Sequence, residues 1–221
     1  MSDHHARPRL GRRRKVGGDG EPEVFCADEL GDGSIDIGRW SRLATTVLLA
    51  EGVRGLAELS VLYVGEEAIA ELNQLYMGKA GPTDVLAFPI DAGEVEVIAG
   101  PGGMSRGPDR SPVDLGDLPL LLGDVVICPP VAAAQAEAHA GTLDDELALL
   151  LVHGVLHVLG YDHAEPDELA MMQQRERELL EAHHWHGPAP AAFRQDHADA
   201  SDALDTSDTS DALGTADGAG R

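Results

Sequence analysis

His153, His157 and His163 stand in the run His153-Gly-Val-Leu-His157-Val-Leu-Gly160-Tyr-Asp-His163, with imidazoles at spacings that a single divalent transition ion can gather. Residues four apart on a helix project from one face about one turn apart, so the first two rings are neighbours. Such a pair alone is weak evidence, because two hydrogen-bonded histidines look the same in sequence. The third ring changes the balance: Gly160 lets the chain leave the helix through a left-handed turn and bring His163 back toward the other two. Neutral imidazoles suit zinc better than magnesium or calcium, which prefer oxygen, while nickel, cobalt and copper stay open on ligand type. No thiolate or fourth histidine lies nearby in sequence to close the shell. Three protein ligands with an open position are the catalytic arrangement, in which the ion lowers the pKa of a bound water or polarises an oxyanion.

The spacing HxxxHxxGxxH is also that of metzincin peptidases, where the residue after the first histidine is the glutamate that acts as general base. Here that residue is Gly154. Peptide hydrolysis at such a centre lacks its proton acceptor. An RNA phosphodiester asks for less, because the 2′-hydroxyl is already a positioned nucleophile and the charge to be stabilised lies on the phosphoryl oxygens.

The histidines must be held by something rigid. Residues 144–159 are apolar almost all round, which predicts a helix in the middle of the protein, and Thr142-Leu-Asp-Asp145 reads as its capping-box-like start. Before it, residues 24–27 read as a short strand and Ile37, Trp40, Leu43, Val47 and Leu48 as a helix behind Asp36 as N-cap, stopped at Gly52. Residues 59–64 read as a strand, 66–76 as a helix with Ile69, Leu72 and Leu75 on one stripe, and 83–90 as an extended segment that Pro89 limits. Residues 91–118, dominated by Gly, Pro, Asp and Ser, form a long loop of the functional or mobile kind. Residues 120–128 make the last strand. Pro129 and Pro130 open an Ala-rich helix ending near Gly141, and Pro166 opens a final amphipathic helix to about His184.

The 221 residues suit one domain with tails, and the formal charge is −23. Residues 1–20 hold six Lys/Arg against two Asp, and 187–221 hold seven Asp against two Arg, so nearly all of the acidity belongs to the folded part. Such a domain repels phosphate backbones at long range, and charge alone does not announce a nucleic-acid enzyme. Residues 1–22 are expected to be a disordered basic tail, 23–185 the folded domain, and 186–221 a disordered acidic low-complexity tail. Cys26 and Cys128 sit in apolar stretches without a CxxC pattern and read as reduced core thiols. Lacking a signal peptide and any apolar run long enough to span a bilayer, the chain is expected to be soluble and cytoplasmic.

The histidine motif, together with Leu72-Asn73, Pro82-Thr-Asp-Val-Leu-Ala-Phe-Pro89 and Leu122-Gly-Asp-Val-Val-Ile-Cys-Pro129, resembles the bacterial YbeY family of rRNA maturation factors. The resemblance runs over about residues 24–185. It implies an α+β fold, a single domain in which a small mixed sheet of about four strands packs around the central zinc-carrying helix, with several flanking helices. It also implies a zinc-dependent, single-strand-specific endoribonuclease that acts in 16S rRNA 3′-end maturation and late 70S ribosome quality control. One Zn2+ would sit on His153, His157 and His163, with RNA and the ribosome or its small subunit as partners and no membrane.

Met77 stands where the family commonly has an arginine that helps hold RNA or phosphate, and Ala87 where many relatives have serine. Lys79 matches a family lysine that contacts phosphate or is simply solvated. Asp162 either orients a ligand imidazole or caps the turn after Gly160. Tyr161 offers a phosphate-contacting hydroxyl or a packed aromatic ring. Asp84 and Asp124 line the cleft or cap loops, and His183, His184 and His186 read as exposed. Two other functions stay open: a non-catalytic, zinc-stabilised ribosome assembly factor, and a metzincin-like metallopeptidase.

Overall fold

The computed structural model describes residues 12–16, 20–90, 119–161 and 165–195. The elements run β1 (Arg12–Val16), β2 (Glu23–Asp28), α1 (Ile37–Ala50), β3 (Ala57–Tyr63), α2 (Glu66–Leu72), β4 (Val85–Pro89), β5 (Leu120–Ile127), α3 (Pro129–Gln135), α4 (Leu143–Val158) and α5 (Pro166–His183). The sheet order is β1-β2-β3-β5-β4. Strands β2, β3 and β5 are parallel, with β1 and β4 antiparallel on the two edges. The fold is therefore α+β with a mixed sheet, one strand larger than the motifs imply.

Strand alternation assigns the two faces. Val24, Cys26, Leu59, Val61, Tyr63, Val125 and Ile127 point to the side covered by α1 and α4, where they join Trp40, Val47, Leu48 and the α4 leucines in the main core. Val64, Ile69, Leu86, Val126 and Cys128 form a smaller cluster under α2 on the other side. The two cysteines are thus free, buried and on opposite faces of the sheet. Burial pushes the Cys26 thiol up to about 12, out of reach of thiolate chemistry near neutrality.

Helix α4 is buried from Glu146 to Leu156 without a break. It is the central rod that its composition predicts. Thr142 caps it, its hydroxyl oxygen accepting from the Asp145 N–H at 3.1 Å. Asp145 in turn accepts from Trp185 Nε1 at 2.6 Å and His184 Nε2 at 2.9 Å, so the end of α5 is pinned to the start of α4. His184 is therefore largely covered rather than exposed as expected, because α5 folds back over the α4 N-terminus. Burial raises the Asp145 pKa, but the hydrogen bonds from Thr142, Trp185 and His184 outweigh it and hold the carboxyl below its usual range. A carboxyl with a depressed folded pKa stabilises above its unfolded pKa and loses that stability as pH falls through the folded value. Asp145→Asn should accordingly show a lower urea midpoint than wild type at neutral pH, with the gap closing as pH falls below the ordinary carboxylate range.

Besides α3, which ends as a helix at Gln135 and continues as turns where a helix to about Gly141 was expected, three boundaries differ from the sequence reading. Residues 12–16, expected in a disordered tail, form β1, which pairs Arg12 with Asp28 and Val16 with Val24 on the edge of β2. A ladder runs on backbone groups, and the cationic side chains gave no apolar signal for it. Residues 186–195, expected in the other tail, belong to the folded body. Phe193 is buried against Trp185 at 4.7 Å between ring centroids, and the Arg194 N–H donates to His139 O at 2.8 Å. One aromatic in an Ala- and Pro-rich stretch is a faint signal, yet it anchors the segment.

The third difference lies after α2. The expected helix over 66–76 stops being α at Leu72, and Asn73–Met77 is a π-helical turn closed by Gly78 at φ 69°. The wider turn breaks the three-and-four spacing, so Leu75 leaves the stripe and is 72% exposed. Asn73 is buried, and its side-chain amide donates to Gly81 O at 2.9 Å, bracing the loop that carries Lys79. The long loop expected over 91–118 lies outside the described residues.

Candidate metal centre

The two described histidines of the motif meet. His153 Nε2 and His157 Nε2 are 3.0 Å apart, with the rings nearly perpendicular at 82°. What faces each ring from behind decides the chemistry of those two nitrogens. His157 Nδ1 donates to the backbone carbonyl of Tyr161 at 3.0 Å, an acceptor that has no proton to give. His153 Nδ1 donates to Glu176 Oε1 at 2.7 Å, where both side chains are nearly excluded from water. With both Nδ1 atoms committed as donors, neutral rings present two Nε2 lone pairs to one point. Lone pairs facing each other repel unless a proton or a metal ion lies between them, and anchored imidazoles of this kind are how proteins hold zinc. The residues fit a transition-metal ion.

The chain builds this arrangement locally. Gly160, at φ 91°, ends α4 in a Schellman turn: the Gly160 N–H donates to His157 O at 2.9 Å and the Tyr161 N–H to Leu156 O at 3.0 Å. That turn folds Tyr161 back, which is why its carbonyl reaches the ring of His157. Asp162 and His163 lie outside the described residues. Among the described residues no group of three or more His, Cys, Asp or Glu side chains that could hold a metal is found.

Glu176 was invisible to motif reasoning. It sits on the buried face of α5 with Met172, Leu179 and Leu180, at spacings of four, three and four, as the single charge in an apolar stripe. That misplacement was the available signal. Its other oxygen, Oε2, accepts from Gln195 Nε2 at 3.2 Å, so the segment beyond α5 also supports the centre. Second partners of ligating histidines typically change metal affinity by about 10–100-fold. Glu176→Gln should weaken metal retention by about tenfold at least on that scale, read by competition with a chromophoric chelator.

Gly154, where a metzincin carries its glutamate, is buried at the contact between α4 and β5. A Cβ added there would lie 2.5 Å from Val125 Cγ1 and 3.3 Å from Cγ2. Position 154 therefore has no room for the metzincin glutamate.

The other candidates separate. The Tyr161 hydroxyl donates to Glu51 Oε2 at 2.9 Å, so it is engaged within the protein. Lys79 belongs to the loop after the π turn, partly buried, its N–H 3.4 Å from Asn73 O. Asp84 serves its own strand entry and α3, accepting from the Val85 N–H at 2.8 Å and from Gln135 Nε2 at 2.6 Å. Asp124 pairs with Phe88 in the β4–β5 ladder.

Fold and site together define an α+β protein whose central helix brings two histidine rings together through their Nε2 atoms. A family model described as Endoribonuclease YbeY matches residues 28–184, well over half of the chain. Among curated proteins, the Endoribonuclease YbeY of Thermobifida fusca is 48% identical over 142 residues, covering 64% of this chain and 82% of the relative. That of Frankia casuarinae is 43% identical over 164 residues, covering 74% and 75%. A Thermotoga maritima protein solved in solution aligns over 71% of this chain and 87% of its own at 24% identity, with a TM-score of 0.42. The chain belongs to the YbeY family. No helix among the described residues is long and apolar enough to cross a membrane.

Proposed function

We propose that this chain is a zinc-dependent, single-strand-specific endoribonuclease that acts in the cytoplasm on the 3′ end of 16S rRNA and in late 70S ribosome quality control. The observation that carries the metal dependence is the convergence of His153 and His157 through Nε2 while Glu176 and the Tyr161 carbonyl hold Nδ1. RNA as substrate rests on the family and on relatives that are named as endoribonucleases.

His153 and His157 would hold the ion, with His163 as the third ligand delivered by the turn at Gly160. When bound, the ion supplies Lewis-acid stabilisation of charge on a phosphoryl oxygen or of a water nucleophile. The protein residues fix ring tautomers, exclude water from the Glu176 side and keep position 154 empty. The absence of a carboxylate at that position suits a substrate that brings its own positioned 2′-hydroxyl, and disfavours peptide hydrolysis. Asp162 would orient a ligand imidazole or cap the turn, and Lys79 would meet phosphate. With Met77 in place of the family arginine, little positive charge is offered to RNA, so binding should lean on the ribosome or another partner.

The test uses a single-stranded RNA carrying an extended 16S rRNA 3′ end. Zinc-loaded wild type is expected to cleave it, and His157→Ala, which also retains no zinc, is expected to leave it intact. Cleavage by the metal-free variant would reject the proposal. Zinc-loaded wild type that binds ribosomes but leaves the RNA uncut would favour a non-catalytic assembly factor instead.

A further inference from the structure

The tie between Tyr161 and the body of the protein has no counterpart in the motif, and it ends on α5, whose Glu176 accepts from the His153 ring. Tyr161 donates its hydroxyl to Glu51 Oε2 at 2.9 Å. Glu51 is the C-cap residue of α1, and its other oxygen, Oε1, accepts from Arg175 Nε at 2.7 Å. Arg175 further donates through Nη1 to Glu178 Oε2 at 2.7 Å. The Glu51 carboxylate is nearly excluded from water, with a side-chain exposure of 9%. Both of its oxygens are used, one by each partner.

Arg175 and Glu176 are adjacent in α5 and serve the two rings by different routes. Glu176 reaches His153 directly. Arg175 reaches Glu51, Glu51 holds the Tyr161 side chain, and the Tyr161 carbonyl holds His157. We infer that Glu51, Tyr161 and Arg175 are positioning residues for the metal centre: they lock the turn after α4 to α1 and α5, so that the His157 ring is preorganised for the ion.

The alternative for Tyr161 is a packed aromatic with an incidental hydroxyl. Two features argue against it. Tyr161 is tied at both ends, its carbonyl accepting from the His157 ring and its hydroxyl donating to Glu51, and that buried carboxylate is shared with a cation from the helix that fixes the first ring. Buried charge-assisted networks of this kind hold geometry more than they add net stability. Preorganisation should therefore appear in the affinity for metal, since a loosened turn must be reordered when the ion binds.

The inference rests on the metal reading above, and its test separates the two. Zinc dissociation constants of the full chain are measured by competition with a chromophoric chelator, and cobalt-substituted protein is followed by its visible ligand-field bands. Thermal midpoints of the metal-stripped proteins are recorded in parallel. Tyr161→Phe removes only the hydroxyl, and Glu51→Ala removes the shared acceptor. Each is expected to weaken zinc binding by about tenfold, the low end for groups supporting ligating histidines, with altered cobalt bands. Glu51→Gln, which keeps an oxygen acceptor, should recover part of the loss, and the double variant Glu51→Ala with Tyr161→Phe should bind no more weakly than Glu51→Ala alone. Wild-type zinc affinity and cobalt bands in Tyr161→Phe and Glu51→Ala, whatever their thermal midpoints, would overturn the positioning role and leave the metal reading intact. A wild type that binds neither zinc nor cobalt would overturn both.

Discussion

His153→Ala is expected to yield a protein that retains no zinc, cleaves RNA no faster than metal-stripped wild type, and is less stable even without metal. The first two effects follow from losing one of the two converging nitrogens. The third follows from what remains behind. Glu176 is buried, and its Oε1 loses the 2.7 Å hydrogen bond from His153 while Oε2 keeps only the longer one from Gln195. A buried acceptor stripped of its donor costs about 1–3 kcal/mol, more when it is charged. His153→Ala combined with Glu176→Leu removes the stranded charge, so it should regain stability in urea denaturation without regaining metal or cleavage. That dissociation of stability from activity distinguishes a metal ligand from a core histidine. Recovery of cleavage in the double variant would contradict the assignment.

The second large effect is at Gly154. Adding one methyl places it 2.5 Å from Val125 Cγ1, a contact that real Cβ atoms do not make, and Val125 is fully buried on β5. Valine has little rotamer freedom with which to yield, so α4 must move off the sheet. Overpacking of this sort costs about 1–3 kcal/mol, partly offset in Gly154→Ala by up to about 1 kcal/mol of helix propensity. Gly154→Val adds bulk on the same line and should fall at or above the upper end of that range. Because His153 is the preceding residue, the shift should also lower zinc affinity. Val125→Ala opens the space the methyl needs, and in the Gly154→Ala background it should cost less stability than it does in wild type. Gly154→Glu, which restores the metzincin pattern in sequence, would bury a carboxylate without a partner and should yield an unfolded chain rather than a peptidase. Thermal midpoints across this set measure the clash directly.

Most of what positions the site was legible because it obeys local rules. The apolar run of α4, the Thr142 start, the Asp36 cap on α1 and the Gly160 stop each lie in a few consecutive residues, and each appears within a residue or two of where periodicity and capping place it. What sequence hid is long-range. Glu176 supports His153 from 23 positions away, Glu51 and Tyr161 meet across 110, and Gln195 lies 19 beyond Glu176. No period or spacing encodes such pairs. A single carboxylate on an otherwise apolar helical stripe, as at Glu176, is the nearest thing to a warning.

The edge strand β1 and the anchor at Phe193 were missed for a related reason. Both sit in compositions typical of tails, while the pairing and packing that hold them come from partners elsewhere in the chain. The π turn at Asn73–Met77 was missed because its sequence satisfies an α period until the turn widens. Gly154 shows the opposite case. Sequence says only that the peptidase base is absent, and packing against Val125 says why no side chain can stand there.

The proposed requirement is for an ion held by the anchored imidazoles before RNA can be cut. Its most direct test is to strip the full chain with chelator, add zinc back in fractions of an equivalent, and follow cleavage of single-stranded 16S rRNA 3′-end substrate. Cleavage should be absent at the start, rise in proportion to added zinc, and stop rising at one ion per chain. Full cleavage by the stripped protein, or none after zinc is restored and bound, would contradict it.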